Sequence, residues 1–260
     1  MRIRRKVWAE PELSACSYFI KKPLALRGQW QDSFVKKQPI HLDLGCGKGV
    51  FLARAAYKYP ELNFIGIDIS LDILGVARRN MNETFGQQDP ENILFFSHNI
   101  ERIGEVFSKS DDISRIYVNF CNPWPRAKAH KRRLTHPRQL KSYIQFLQPN
   151  GEIWFKTDDA DLYLATKRYF KQTGLDILQI SEDLHGDQWH DNIDTEHELM
   201  FLEQGERIKA IRARWYGGGD ETQAFKRDSE QAQNKICAAQ QTQPGYQSGA
   251  DETGHLQNIL

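Results

Sequence analysis

Two carboxylates at the ends of apolar runs, with a glycine-rich turn between them, have the type and spacing to hold a ligand. His41-Leu-Asp-Leu-Gly-Cys-Gly-Lys-Gly-Val50 reads as a strand, a loop bearing Gly45, Gly47 and Gly49, and the start of a helix. Glycines let a backbone approach a ligand closely, and a helix N-terminus favours an anion. The spacing is GxGxG. The dinucleotide fingerprint GxGxxG would place its third glycine at position 50, where Val50 stands. A plain tight strand-to-helix turn has the same spacing. Ile65-Gly-Ile-Asp68 is a second strand ending in an acid. An acid there suits a bidentate contact to ribose hydroxyls, or caps the helix starting near Ser70-Leu71. Asp43, ahead of the loop, suits a cationic group on the same ligand. Asn99, past a third apolar run, is placed to touch a base or is an ordinary turn asparagine.

A second constellation comes after the fourth apolar run, in Tyr117-Val-Asn-Phe-Cys-Asn-Pro-Trp-Pro125. Two prolines around a tryptophan fix the backbone where a loop would otherwise be loose, which suits a site that must orient a planar substrate. Trp124 can stack on a base or belong to the core. Arg126 to Arg138 then holds six Lys/Arg, two His and no acid. Such a run is either a solvated face or, beside a cleft, a set of phosphate contacts. Overall net charge is only +1, but residues 220–260 carry −3, leaving +4 on the rest.

Short apolar runs at Ile40–Leu44, Asn63–Asp68, Ile93–Ser97, Ile116–Cys121 and Glu152–Lys156 alternate with helical spacings. Leu52, Ala55, Ala56 and Tyr59 form one such helical set. Leu140, Tyr143, Ile144 and Leu147 form another, started by Thr135-His136-Pro137 and closed by Pro149-Asn150-Gly151. This alternation predicts an α/β fold, a mostly parallel sheet with helices on both faces. A last pair, near Leu175–Ser181 and Glu198–Glu203, is expected as an antiparallel edge hairpin, making seven strands. Residues 1–39 read as an arm, 40–216 as the main domain, and 217–260 as a polar, disordered tail. Four scattered cysteines without a CxxC pair argue against a metal site and for a reducing, cytoplasmic setting. No apolar run approaches the roughly 18 residues of a membrane span. The basic start runs into Glu10, Pro11 and Glu12 rather than an apolar stretch, so it does not read as a signal peptide.

The segment Asn119-Phe-Cys-Asn-Pro-Trp-Pro-Arg-Ala-Lys-Ala-His-Lys-Arg-Arg-Leu-Thr-His136 resembles the hallmark of bacterial tRNA (guanine-N7)-methyltransferases, as do Phe155-Lys-Thr-Asp-Asp159 and Thr195-Glu-His-Glu198. The resemblance, from about Leu42 to Arg212, implies a Rossmann-like class I methyltransferase fold and S-adenosylmethionine as cofactor. It implies tRNA as substrate, methylated at guanine 46 of the variable loop, and a monomer or homodimer. Cofactor contacts would come from Asp43, Gly45, Gly47, Gly49, Asp68, Asn99 and Asn122. Substrate contacts would come from Trp124, Arg126, Lys131, Arg132, Arg133, Asp158, Thr195, Glu196, His197 and Glu198. Asp158, Glu196 and Glu198 have a mechanical reading too, because a carboxylate can accept from guanine N1–H and N2–H₂ together. Asp158 could instead cap the next helix, and Glu198 could start a strand. The family usually has aspartate, regarded as catalytic, at position 122. Here it is Asn122, which keeps an acceptor but loses the charge. Rival readings are a methyltransferase of exocyclic base amines, a tRNA-binding protein without turnover and, least supported, a hydride-transfer enzyme.

Overall fold

The computed structural model describes residues 5–189 and 191–218. From residue 219 on, the expected tail lies outside them. Seven strands form one sheet: β1 (Ile40–Leu44), β2 (Asn63–Asp68), β3 (Ile93–Ser97), β4 (Ile113–Asn119), β5 (Leu147–Thr157), β6 (Asp176–Ser181) and β7 (Lys209–Trp215). Their spatial order is β3-β2-β1-β4-β5-β7-β6, and β7 alone runs antiparallel to its neighbours. Every residue of β1 is buried. Strands covered on both faces read as continuous apolar runs, which is why the central strands stand out in the sequence. The chain moves outward from β1 through β2 to β3, then returns to place β4 on the other side of β1. A crevice opens at such a reversal, outside the carboxyl ends of the strands.

Helices α1 (Ala9–Ala15), α2 (Val50–Lys58), α3 (Leu71–Thr84), α4 (Pro137–Tyr143), α5 (Ala160–Gln172) and α6 (Glu196–Glu203) complete the described fold. The described part of the lead-in expected over 1–39, residues 5–39, packs into the same core as the main domain. Trp30 is fully buried, stacks on Phe96 at 5.2 Å and donates its indole N–H to the Val106 carbonyl. Phe19 meets Phe95 edge-on, and α1 lies on α3.

Two elements differ from the sequence expectation. The helical spacing through Leu147 stops at Tyr143, and Leu147 already belongs to β5, with Pro149-Asn150-Gly151 inside the strand's span. Ile113 pairs with Leu147 but Arg115 with Glu152, so the extra residues bulge out of the ladder. The edge hairpin is β6 with β7. Glu198–Glu203, expected as its second strand, lies in α6. Thr195 Oγ1 accepts from the Glu198 backbone N–H, and a Glu198 carboxylate oxygen accepts from the Thr195 N–H. That reciprocal cap nucleates a helix where periodicity showed none.

Candidate cofactor and nucleic-acid site

The carboxyl ends of β1, β2 and β4 and the first turn of α6 enclose a cleft of about 260 Å³. Gly45, Gly47 and Gly49 all take positive φ, at 80°, 54° and 69°. A side chain at Gly49 would also sit 2.8 Å from the Ala77 Cβ, so this turn requires glycine for both conformation and packing. Asp68 braces the turn: one carboxylate oxygen accepts from the Gly47 N–H at 3.1 Å, the other from the Ser70 N–H at 3.0 Å. Ser70, not Asp68, caps α3. Asn99 is exposed and accepts from the Glu101 N–H, leaving its amide nitrogen as a donor.

Asp43 lies on the cleft wall, almost wholly buried, with no salt-bridge partner among the described residues. Burial, reinforced by the Asp68 carboxylate, pushes its carboxyl up to about 7 against the opposing pull of Asn119 and Lys156. A buried carboxylate of this kind calls for a cation. The donor set fits S-adenosylmethionine: Asp43 would meet the ammonium, the glycine turn the carboxylate, and Asp68 the ribose. Burial holds the Cys46 thiol well above its ordinary range and pushes Cys121 up to about 12, so neither is a thiolate nucleophile near neutral pH.

Past β4 the loop is bent twice, with Phe120 at φ 49° and Trp124 at φ 44°. Left-handed backbone at non-glycine residues persists only where neighbours enforce it. Asn122 Oδ1 accepts from the Trp124 N–H at 3.0 Å, and Arg133 Nε donates to the Pro123 carbonyl at 2.7 Å. The Arg132 guanidinium lies 4.1 Å from the Trp124 ring centre, and its Nε stands 3.5 Å from Glu101. Of the four cations expected to contact substrate, Arg133 is buried and bonded to the loop's own carbonyl, while Arg132 is exposed and covers a face of Trp124. Arg126, Lys128, Lys131 and Arg138 are exposed as well. Asn122 itself is exposed and is not among the residues that line the cleft.

In α6 the two middle residues of Thr195-Glu-His-Glu198 face the cleft with Thr195. Glu196 pairs with Lys48 of the glycine turn at 2.6 Å, and the His197 ring stacks on Phe120 at 5.7 Å. Glu198 is fully buried, its carboxylate engaged by Lys156, Asn192, His185 and the Thr195 N–H. Asp158 is exposed. The residue that caps α5 is Asp159, whose Oδ1 accepts from the Leu162 N–H, not Asp158. Sequence reasoning missed Asn119, Phe120 and Lys48 as lining residues, and also Lys156. Only Lys156 left a signal: a lysine inside an otherwise apolar strand.

Fold and site together define a class I methyltransferase. Residues 37–211 match a family model described as a putative methyltransferase. A tRNA (guanine-N(7)-)-methyltransferase of Clostridium botulinum (strain Eklund 17B / Type B) is 48% identical over 215 residues, 82% of this chain and 98% of that protein. The corresponding protein of Acetivibrio thermocellus is 44% identical over 82% of this chain and 99% of its own length. Among solved structures, the 16S rRNA methyltransferase KamB shares the fold at 13% identity and a TM-score of 0.50, over 83% of this chain and 97% of that one. The chain belongs to the tRNA (guanine-N(7)-)-methyltransferase family. No helix among the described residues is long and apolar enough to cross a membrane.

Proposed function

We propose that this protein transfers the methyl group of S-adenosylmethionine to N7 of a guanine in tRNA, at position 46 of the variable loop by family resemblance. One observation carries the reading. A buried carboxylate without a salt-bridge partner among the described residues, the glycine turn and the braced Asn122–Pro125 loop lie at one carboxyl edge of the sheet. When bound, the cofactor supplies an electrophilic methyl group on sulfonium. Guanine N7 is an unprotonated lone pair, so no residue has to remove a proton before it attacks. The chain's work is orientation and charge. Asn122, fixed by the Trp124 N–H, shapes the loop that presents the base. Arg126, Lys128 and Lys131 meet phosphates, while Arg132 and Arg133 keep the loop rigid. With Glu198 committed internally, exposed Asp158 and the cleft-facing Glu196, itself paired with Lys48, are the acids left to read guanine N1–H and N2–H₂.

The test incubates the protein with labelled S-adenosylmethionine and unmodified bulk tRNA, digests the RNA and identifies the methylated nucleoside. The expected product is 7-methylguanosine. An N-methylated exocyclic amine would establish the rival enzyme class. Tight tRNA binding without any product would make the protein a non-catalytic binder.

A further inference from the structure

Lys156, near the end of β5, is almost wholly buried, yet it belongs to neither the cofactor contacts nor the substrate contacts. Its ammonium donates to Glu198 Oε2 at 2.9 Å and to the Ile193 carbonyl at 2.9 Å. Glu198 in turn accepts from Asn192 Nδ2 at 2.6 Å, stands 3.0 Å from His185 Nε2, and closes the cap on Thr195. The Glu198 and Asp194 carboxylates lie close together with His185. The cation serving this acidic group is the Lys156 ammonium. Lys156 pairs in register with Asn119 and lies in the field of Asp43, so it stands between the two halves of the cleft. Taking one partner from a buried ion pair leaves an uncompensated charge, whereas replacing both charges often costs little stability.

We propose that Lys156 is a positioning residue shared by both halves of the cleft: its buried ammonium fixes the Ile193–Glu198 turn against β4 and β5, so that Thr195, Glu196 and His197 face the cleft. The inference rests on the proposed reading of that turn as substrate-facing. It also gives Glu198 a definite task. That carboxylate is an anchor for the turn, and guanine selection falls to its neighbours.

The test compares Lys156→Met, Lys156→Arg and the paired variant Lys156→Met/Glu198→Gln, which removes both charges and keeps an acceptor for the Thr195 N–H. Thermal melting, tRNA methylation at saturating S-adenosylmethionine, and calorimetric cofactor binding across pH are measured on each. Lys156→Met should lower kcat/KM for tRNA on the order of 100-fold, as misplacement of a substrate turn by about an ångström does. It should also move the pH midpoint of cofactor binding upward. Asp43 then loses a neighbouring cation and keeps Asp68, with Tyr117 and Cys46 as its other titratable neighbours. Lys156→Arg should recover most of both effects. If Lys156→Met does not melt cooperatively, the paired variant carries the test and should melt near wild type while keeping both defects. A paired variant with wild-type kcat/KM and an unmoved midpoint overturns the proposal and leaves the pair a stability element. Wild type that binds cofactor but methylates no tRNA defeats the proposed function instead, and the pH midpoint still reads the role of Lys156.

Discussion

The two halves of the cleft are built by different means. On the cofactor side, each functional group sits within a few residues of a strand end. The turn Gly45–Gly49 is held by backbone conformation and by Asp68, itself at the end of the adjacent strand. On the substrate side, the loop after β4 is held by its own Asn122 and by Arg132 and Arg133 just after it, whereas the start of α6 is held by Lys156 and Lys48, each reaching from another element. A cofactor common to many enzymes can be met by a local motif, whereas one nucleotide of a folded RNA has to be met by a surface assembled from several segments. Basic residues thus do two jobs in this chain: Arg126, Lys128 and Lys131 face solvent, while Arg132, Arg133, Lys48 and Lys156 engage other groups of the protein.

The sharpest way to test that contrast is Asn122. If its carbonyl matters because it holds the Trp124 N–H, Asn122→Ala should lower turnover on the order of 10- to 1000-fold with cofactor affinity little changed. Asn122→Asp can accept the same bond and should keep or raise turnover. Equal turnover in wild type and Asn122→Ala would remove any kinetic role for the position. Asp68→Ala should act on the other half alone, weakening S-adenosylmethionine binding by about 10- to 200-fold through loss of charged hydrogen bonds. A fall in tRNA affinity of similar size, measured in the absence of cofactor, would show that the halves are not separable.

Cofactor binding should also depend on pH through Asp43. Its carboxyl, raised from 3.8 to about 7, is neutral in the free protein at lower pH, and a cationic ligand needs it ionised. Affinity should therefore fall as pH drops below about 7, by up to about tenfold per unit. The sign for stability is opposite. The native state holds this proton more tightly than the unfolded chain, so the group's stabilisation of the ligand-free protein is present below 3.8 and lost as pH rises through about 7. A flat affinity profile across about two pH units centred near 7 would remove Asp43 from cofactor binding.

The smallest expected effects divide the basic run. Lys131→Ala should lower the slope of log tRNA affinity against log salt by somewhat under one unit and leave thermal stability unchanged. Arg133→Ala should instead lower the melting temperature, since it strips a buried donor from the Pro123 carbonyl, a loss of about 1–3 kcal/mol. If both variants change the salt slope equally, the braces and the phosphate contacts are one set after all.

Much of this molecule is legible in its sequence. The strands β1 to β4, the glycine turn and the acid of β2 announce themselves because each depends on neighbours within a short stretch of chain. So does the cap on α6: Thr195-x-x-Glu198 is a helix start written in four residues, although periodicity alone, counted over too short a window, reads it as strand. Helical spacing claims Leu147 for a related reason, because it cannot say where the next strand takes over a residue. Tertiary structure alone decided which charges are spent inside the protein. Arg133 looks in sequence like Lys131, and Glu198 like Glu196, yet packing buries Arg133 and Glu198 while Lys131 stays exposed and Glu196 faces the cleft in its pair with Lys48. The physical reason is that the worth of a charge depends on the dielectric and partners around it. Those are set by residues such as Ile193, brought to Lys156 by the fold rather than by the chain.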